Sequence, residues 1–239
     1  GNCAMLEHTN ITMHIDGGEV NTDMLDTREK FINTLRRLKY SKLTEKYVTI
    51  NMRTMVELSK EYDQDTTIDE SELDICINTD TLPIEEKLTH KHITLKFICD
   101  RGVSHEIVRH RTASFAQEST RYCSYNKEKF DGEVTFIEPC YWDKSDPQYF
   151  RWKRLMSAIE SEYFSLLELG ATAQEARSIL PNSLKTELIM TTNLAGWKHF
   201  LNLRYKGTTG KPHPQAYEVA EMAKDILIKE EPEIFAEFA

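Results

Sequence analysis

The stretch RGVSHEIVRHRTASFAQESTRYCSY, residues 101–125, concentrates more chemistry-bearing side chains than any other part of the chain. Arg109, His110, Arg111 and Arg121 fall close together in a protein that is acidic overall. Guanidiniums so close repel one another unless an anion or a carboxylate sits among them, and arginine binds phosphate through paired hydrogen bonds. Two readings follow: a pocket for a small anion, or a surface ion-pair cluster closed by Glu106 and Glu118. Gln117, Ser119 and Arg121 are spaced two apart, so an extended segment would turn all three to one side. That side would offer an amide, a hydroxyl and a phosphate fork, a set suited to a nucleotide. The competing reading is an ordinary polar loop.

A second cluster is TTNLAGWKHFLNLR, residues 191–204. If it is one unbroken helix, Asn193, Trp197, Phe200 and Arg204 share a face, because roughly three turns separate the first from the last. An arginine on a face with Trp and Phe is unusual; the plainer alternative is an amphipathic helix whose arginine snorkels to solvent. Arg177, in QEARSILP, is a weaker case of the same kind. Other templates fail. GTTGK at 207–211 lacks the first glycine of a phosphate-binding loop and is followed by Pro212 where Ser or Thr is required. There is no GxGxxG and no GxSxG. Cys123 lies near Arg121, but a buried inert thiol is the simpler reading.

These residues must be positioned by a chain of 239 residues that is 40% hydrophobic and 29% charged. That suffices for a single domain over 1–239 with a sizeable core. Gly1 to Ala4 read as a remnant ahead of Met5, which reads as the natural start. A net charge of −9 disfavours nucleic-acid binding. No long apolar run marks a membrane span, and no signal peptide opens the chain, so the expected compartment is the cytoplasm. The five cysteines include no CxxC pair and read as reduced thiols; His90 and His92 stand two apart without an HExxH, and no metal is expected.

The element pattern is α+β, with an antiparallel or mixed sheet core wrapped by helices. Residues 11–14 suggest a strand, Gly17–Gly18 a turn and 27–41 a helix. The acidic stretch 61–80 reads as a solvated loop or helix face. HKHITLKFICD at 90–100 alternates like a half-buried strand, and VTFIEP at 134–139 suggests another, stopped by Pro139. A helix is expected from Pro147 to Leu169, closed by Gly170. Thr172 and Glu175 form a capping box for the next, which Pro181 ends. A further helix is expected over about 183–205, and one more from 212.

The run RHRTASFAQES carries Arg109, His110, Arg111, seven residues and then Ser119. This R-H-R-x7-S pattern resembles the signature of the flavin-dependent thymidylate synthases. STRY follows it and the strand-like HKHITLKF precedes it. NLR at Asn202 to Arg204, HPQ at His213 to Gln215 and ARSILP around Arg177 are also similar to that family. The resemblance spans roughly residues 90 to 225.

The resemblance implies the thymidylate synthase-complementing fold and reductive methylation of dUMP to dTMP. Methylenetetrahydrofolate would give the one-carbon unit, FAD would carry reducing equivalents and NADPH would supply them. It also implies a homotetramer whose active sites are shared between subunits, so a dinucleotide can bind without a Rossmann motif. By this match Arg109, His110 and Arg111 approach FAD, Arg109 also lying near the nucleotide, while Asn193 and His199 contact the flavin. Glu106 contacts dUMP. The loop Gln117, Glu118, Ser119, Thr120 and Arg121 holds it, with Ser119 and Arg121 near its phosphate, and Gln117 also lies at the cofactor side. Arg177 is a further dUMP-binding arginine. Arg204 is the catalytic residue, contacting the uracil and favouring ionisation at N3. Ala195 stands where some members have Arg, and Gln117 where some have Glu. The segment between Arg204 and Gln215 is longer than in short members. A non-catalytic nucleotide-binding regulator is the rival reading.

Overall fold

The computed structural model describes residues 7–14, 32–38, 41–61, 77–121, 125 and 132–239. Asn10–His14 (β1), Lys42–Leu43 (β2) and Tyr47–Asn51 (β3) form an antiparallel sheet in the order β1-β3-β2. Its register sets Ile11 against Ile50 and Met13 against Val48. Because strand side chains alternate, these four share one face. They pack with Leu35, Leu38, Leu43 and Leu58 into a buried cluster. The other face pairs Thr12 with Thr49, hydroxyl to hydroxyl at 2.7 Å. Asn51 ends β3 and caps Met52–Glu61 (α1), its Oδ1 accepting from the Thr54 amide. Ile84–His90 (α2) follows Pro83, and its first turn carries Glu85 and Glu86, which suit the positive end of the helix.

His92–Asp100 (β4) alternates buried Leu95, Phe97 and Cys99 with exposed Thr94, Lys96 and Ile98. Asp100 then caps Arg101–Ile107 (α3) by accepting from the Val103 amide at 2.7 Å. After Ser114–Gln117 (β5) comes the long helix Pro147–Glu168 (α4). Gly170, at φ 93°, closes it: the Gly170 amide bonds Leu167 O and the Ala171 amide bonds Leu166 O, a Schellman motif. The capping box of Thr172 and Glu175 opens Ala173–Ala176 (α5) two residues later. Gly170→Ala is expected to cost about 1 kcal/mol, read as a lower urea midpoint with an unchanged slope.

Lys185–Asn193 (β6) completes a second sheet, ordered β4-β6-β5. Leu194–Arg204 (α6), Pro214–Glu230 (α7) and Pro232–Phe235 (α8) finish the chain. The described residues thus bear out an α+β class. Two expectations fail. The helix over 183–205 is a strand to Asn193 and a helix only from Leu194. Segment 134–139 is no regular strand: it makes one bridge, Phe136 to Leu184, with backbone bonds from Ile137 to Ser183 and from Lys185 to Thr135. Of the helix expected at 27–41, the described part is helical over 32–37; the Gly17–Gly18 turn and most of 61–80 lie outside the described residues.

Contacts divide the chain into two compact units. One holds the described residues up to Thr94, with Thr112–Phe115 and Met190–His199; the other holds Leu95–Arg111, Ala116–Ile189 and Phe200–Ala239. The second unit has its own core, in which Tyr125, Val134, Tyr163, Ala176 and Leu184 are buried. Among the described residues no helix is long and apolar enough to cross a membrane.

Candidate functional site

Within the second unit, α3 and the end of α6 bring three sequence-predicted residues together. Arg204 Nη1 donates to Glu106 Oε2 at 2.6 Å, and Nη2 donates to the Glu106 carbonyl at 3.0 Å. Its Nε donates to His110 Nε2 at 3.4 Å. A guanidinium can only donate, so that ring nitrogen accepts and the His110 proton sits on Nδ1. His110 is buried and its ring tilts against Phe200, centroids 5.1 Å apart. Three of the five guanidinium N–H bonds are therefore committed, leaving one on each terminal nitrogen for a ligand. The carboxylate that answers the arginines here is Glu106, and its partner is Arg204, about a hundred residues away in sequence, not a neighbour in the RHR run.

The strand β5 ends at Gln117, and Thr120 and Arg121 form a turn, so alternation does not carry Ser119 and Arg121 onto one extended face. Tertiary contacts hold this segment instead. The Glu118 amide bonds the Glu187 carbonyl at 2.9 Å, and the Glu118 carboxylate lies 3.8 Å from Lys185 Nζ. Lys185 and Lys96 both reach Glu187, and these two hydrogen bonds pull its carboxyl down to about 2. Arg121 Nε donates to Gln174 at 3.0 Å, and Arg177 Nη1 reaches Thr120 Oγ1 at 3.5 Å. The Ser119 hydroxyl accepts from the Arg121 amide. Two guanidiniums thus meet at one turn that carries two hydroxyls, a donor set that matches a phosphate monoester.

Arg109 and Arg111 are exposed, and neither guanidinium has a hydrogen-bond or ion-pair partner among the described residues. The two exposed cations flank buried His110 in the sequence, and each can pair with an anionic group. Asn193 and His199 belong to the first unit. Asn193 ends β6 and caps α6: its Oδ1 accepts from the Gly196 amide and its Nδ2 donates to Thr89 O. His199 is exposed on α6. The described cysteines are poor nucleophiles, since burial pushes the Cys99 thiol up to about 12 and also raises Cys140. Cys123 lies outside the described residues.

The first unit holds a polar cavity of about 310 Å³, lined in part by His8, Thr12, His90, His92 and Thr94. His90 is almost fully buried; its Nδ1 meets Thr49 Oγ1 at 2.8 Å, and its Nε2 meets Thr44 and Glu86. His92 Nδ1 donates to the His90 carbonyl. Burial lowers all three histidines, His92 to about 4. A histidine depressed in the folded state binds its proton more readily when unfolded. Stability is then full above the unfolded value near 6.5 and falls as pH drops toward 4. His92→Gln is expected to flatten that slope, measured as the urea midpoint between pH 7 and pH 4; an unchanged slope would mean that His92 does not drive it.

Sequence reasoning did not reach Ser104, Thr186, Gln174 or Lys185. Only the strand at 185–193 brings Thr186 and Lys185 to this segment, where the sequence pattern predicts a helix. Gln215 was noted within HPQ, but its contact was not: its Nε2 donates to buried Asp100 Oδ2 at 2.9 Å.

Comparison with known proteins supplies a family. A flavin-dependent thymidylate synthase of Thermococcus kodakarensis is 42% identical over 118 residues, 48% of this chain and 47% of that protein. One from Thermococcus onnurineus is 39% identical over 117 residues, again 48% and 47%. One from Geobacter sulfurreducens is 34% identical over 104 residues, 44% and 43%. The matching segment spans about half the length of these curated relatives. The family described as thymidylate synthase complementing protein matches residues 40–233, most of the length, and the chain belongs to that family.

Proposed function

We propose that this chain, acting as a single domain with the family's fold, is a flavin-dependent thymidylate synthase that converts dUMP to dTMP. The observation that carries the reading is Arg204, held by Glu106 and His110 within the RHR region with two N–H bonds still to give. A uracil ring is a poor nucleophile at C5. A guanidinium against its N3 and O2 edge stabilises the anionic ring by charge-assisted hydrogen bonds, which raises electron density at C5. That edge is the role of Arg204. Arg121 and Arg177, with Ser119 and Thr120, take the phosphate, and Glu118, tied to Lys185, anchors their loop. Arg109 and Arg111 hold the anionic part of FAD beside His110. Asn193 and His199 serve the flavin from α6, Asn193 through the amide hydrogen and lone pair its helix cap leaves over.

Bound FAD supplies the reducing equivalents, drawn from NADPH, and methylenetetrahydrofolate supplies the carbon. The protein's own work is to orient the nucleotide and stabilise charge. Neither described cysteine needs to attack the ring, consistent with their raised thiol values. The working form is a cytoplasmic homotetramer that completes each site from more than one subunit. The test is NADPH oxidation by the FAD-loaded protein with and without dUMP, followed by a folate-dependent dTMP assay. Stimulation by dUMP and formation of dTMP are expected. Binding of dUMP without any NADPH oxidation would leave a nucleotide-binding regulator.

A further inference from the structure

The polar cavity of about 310 Å³ in the first unit has residues of β1 and of the start of β4 in its walls. Its size falls at the small end of the range for small-molecule sites, roughly 300–1,000 Å³. Among the described residues that line it there is no Asp, Glu, Lys or Arg. A charged group brought into it would find no counterion there, so the cavity favours a neutral one.

Two places define the hydrogen bonds it can make. The first is β1, at the edge of its three-stranded sheet. Thr12 O accepts from the Ile77 amide at 3.0 Å, outside the β1–β3 ladder. In an antiparallel strand the N–H and C=O of one residue point the same way. The Thr12 N–H therefore also points away from β3, and it has no hydrogen-bond partner among the described residues. The second is His92. A carbonyl can only accept, so the bond from His92 Nδ1 to His90 O at 2.9 Å puts the ring proton on Nδ1 and leaves Nε2 as an acceptor. Burial lowers the ring to about 4, so it remains neutral at pH 7. Nε2 has no partner among the described residues, whereas both ring nitrogens of His90 are engaged.

We propose that this cavity binds a neutral planar amide, either a carboxamide or a ring lactam. The Thr12 N–H at the β1 edge donates to the ligand carbonyl, and His92 Nε2 accepts from the ligand N–H. An amide carries both halves of this pairing on neighbouring atoms, which neither an amine nor a carboxylate does. Every residue invoked belongs to the first unit, and the proposal does not rest on the nucleotide reading.

The experiment is equilibrium dialysis of the full chain, with FAD present, against nicotinamide, uracil and nicotinate at pH 7. Nicotinamide and nicotinate differ only in a neutral amide against a carboxylate, and uracil carries the amide within its ring. At least one neutral probe is expected to bind about tenfold more tightly than nicotinate, and the tighter of the two tells a carboxamide site from a lactam site. His92→Phe keeps a ring but removes the acceptor, and should weaken that probe about tenfold, the size of one lost hydrogen bond. His92→Gln, whose Oε1 restores an acceptor, should recover part of the affinity. Thr12→Pro deletes the outward N–H at an edge position, where proline is tolerated, and should weaken the probe as His92→Phe does. Thermal unfolding checks that each variant is folded, and the histidine pair carries the test if Thr12→Pro is not. Probe binding that folded variants leave unchanged lies elsewhere in the protein and overturns the proposal. So does nicotinate binding as tight as that of the better neutral probe, or wild-type protein that binds neither neutral probe.

Discussion

Arg204→Ala is expected to lower dTMP formation at least about 10²–10³-fold, the cost of deleting one preorganised charge-stabilising donor. On the proposed reading this loss has two components. The uracil edge loses its cation, and Glu106, half-buried and paired to Arg204 at 2.6 Å, loses its partner. An unpaired carboxylate would then face the base where a guanidinium had been, so the field changes sign and does not merely weaken. FAD content, read from the visible spectrum, should largely survive, since Arg109 and Arg111 are untouched. Turnover near wild type would remove Arg204 from the chemistry. Arg204→Lys should not rescue it, because an ammonium presents its hydrogens from a single point and cannot serve Glu106, His110 and a ligand edge together.

Trp197→Ala is expected to be the most damaging core substitution, costing about 3–5 kcal/mol. The indole is completely buried, and its Nε1 donates to the Ile93 carbonyl of β4 at 3.1 Å. Removing it both opens a large void and strands a backbone acceptor next to a sheet. In a chain of this length the midpoint of thermal unfolding should fall by roughly 10 °C. A shift of only a degree or two would mean that the surrounding α6 collapses into the space.

The sequence was most legible where local chemistry decides. Gly170, Thr172 and Glu175 announce one helix end and the next helix start, and the structure builds both as a Schellman motif and a capping box. The alternation of 92–100 likewise yields β4. It was least legible at KTELIMTTN. Its Leu, Met, Glu and Lys favour helix in isolation, and a short apolar run does not tell a buried strand from a buried helix. Its place in the sheet with β4 and β5, a non-local fact, decides in favour of strand. Read as helix, the segment sets Asn193 on a helix face, whereas the strand makes it the cap of α6 and brings Thr186 and Lys185 to the loop they hold. Conversely, the six residues of VTFIEP look like a strand by composition but have only one bridging partner, at Leu184. For the candidate site, residue types were readable but pairings were not: nothing local predicts that Glu106 answers Arg204, or that the Gln117 amide donates to Ser104.

Both ends of the segment between α6 and α7 are fastened to the same short helix. Arg204 is bonded to Glu106 on α3, and Gln215 is bonded to Asp100, the residue that caps α3. Between them, Gly207 and Gly210 turn with positive φ, and residues 208–211 are exposed. Extra residues there lengthen a tether whose endpoints do not move, and each doubling of such a loop costs only about 0.6 kcal/mol. The segment can thus take extra residues without disturbing either anchor, and a peptide tag inserted at Thr209 should leave nucleotide binding intact.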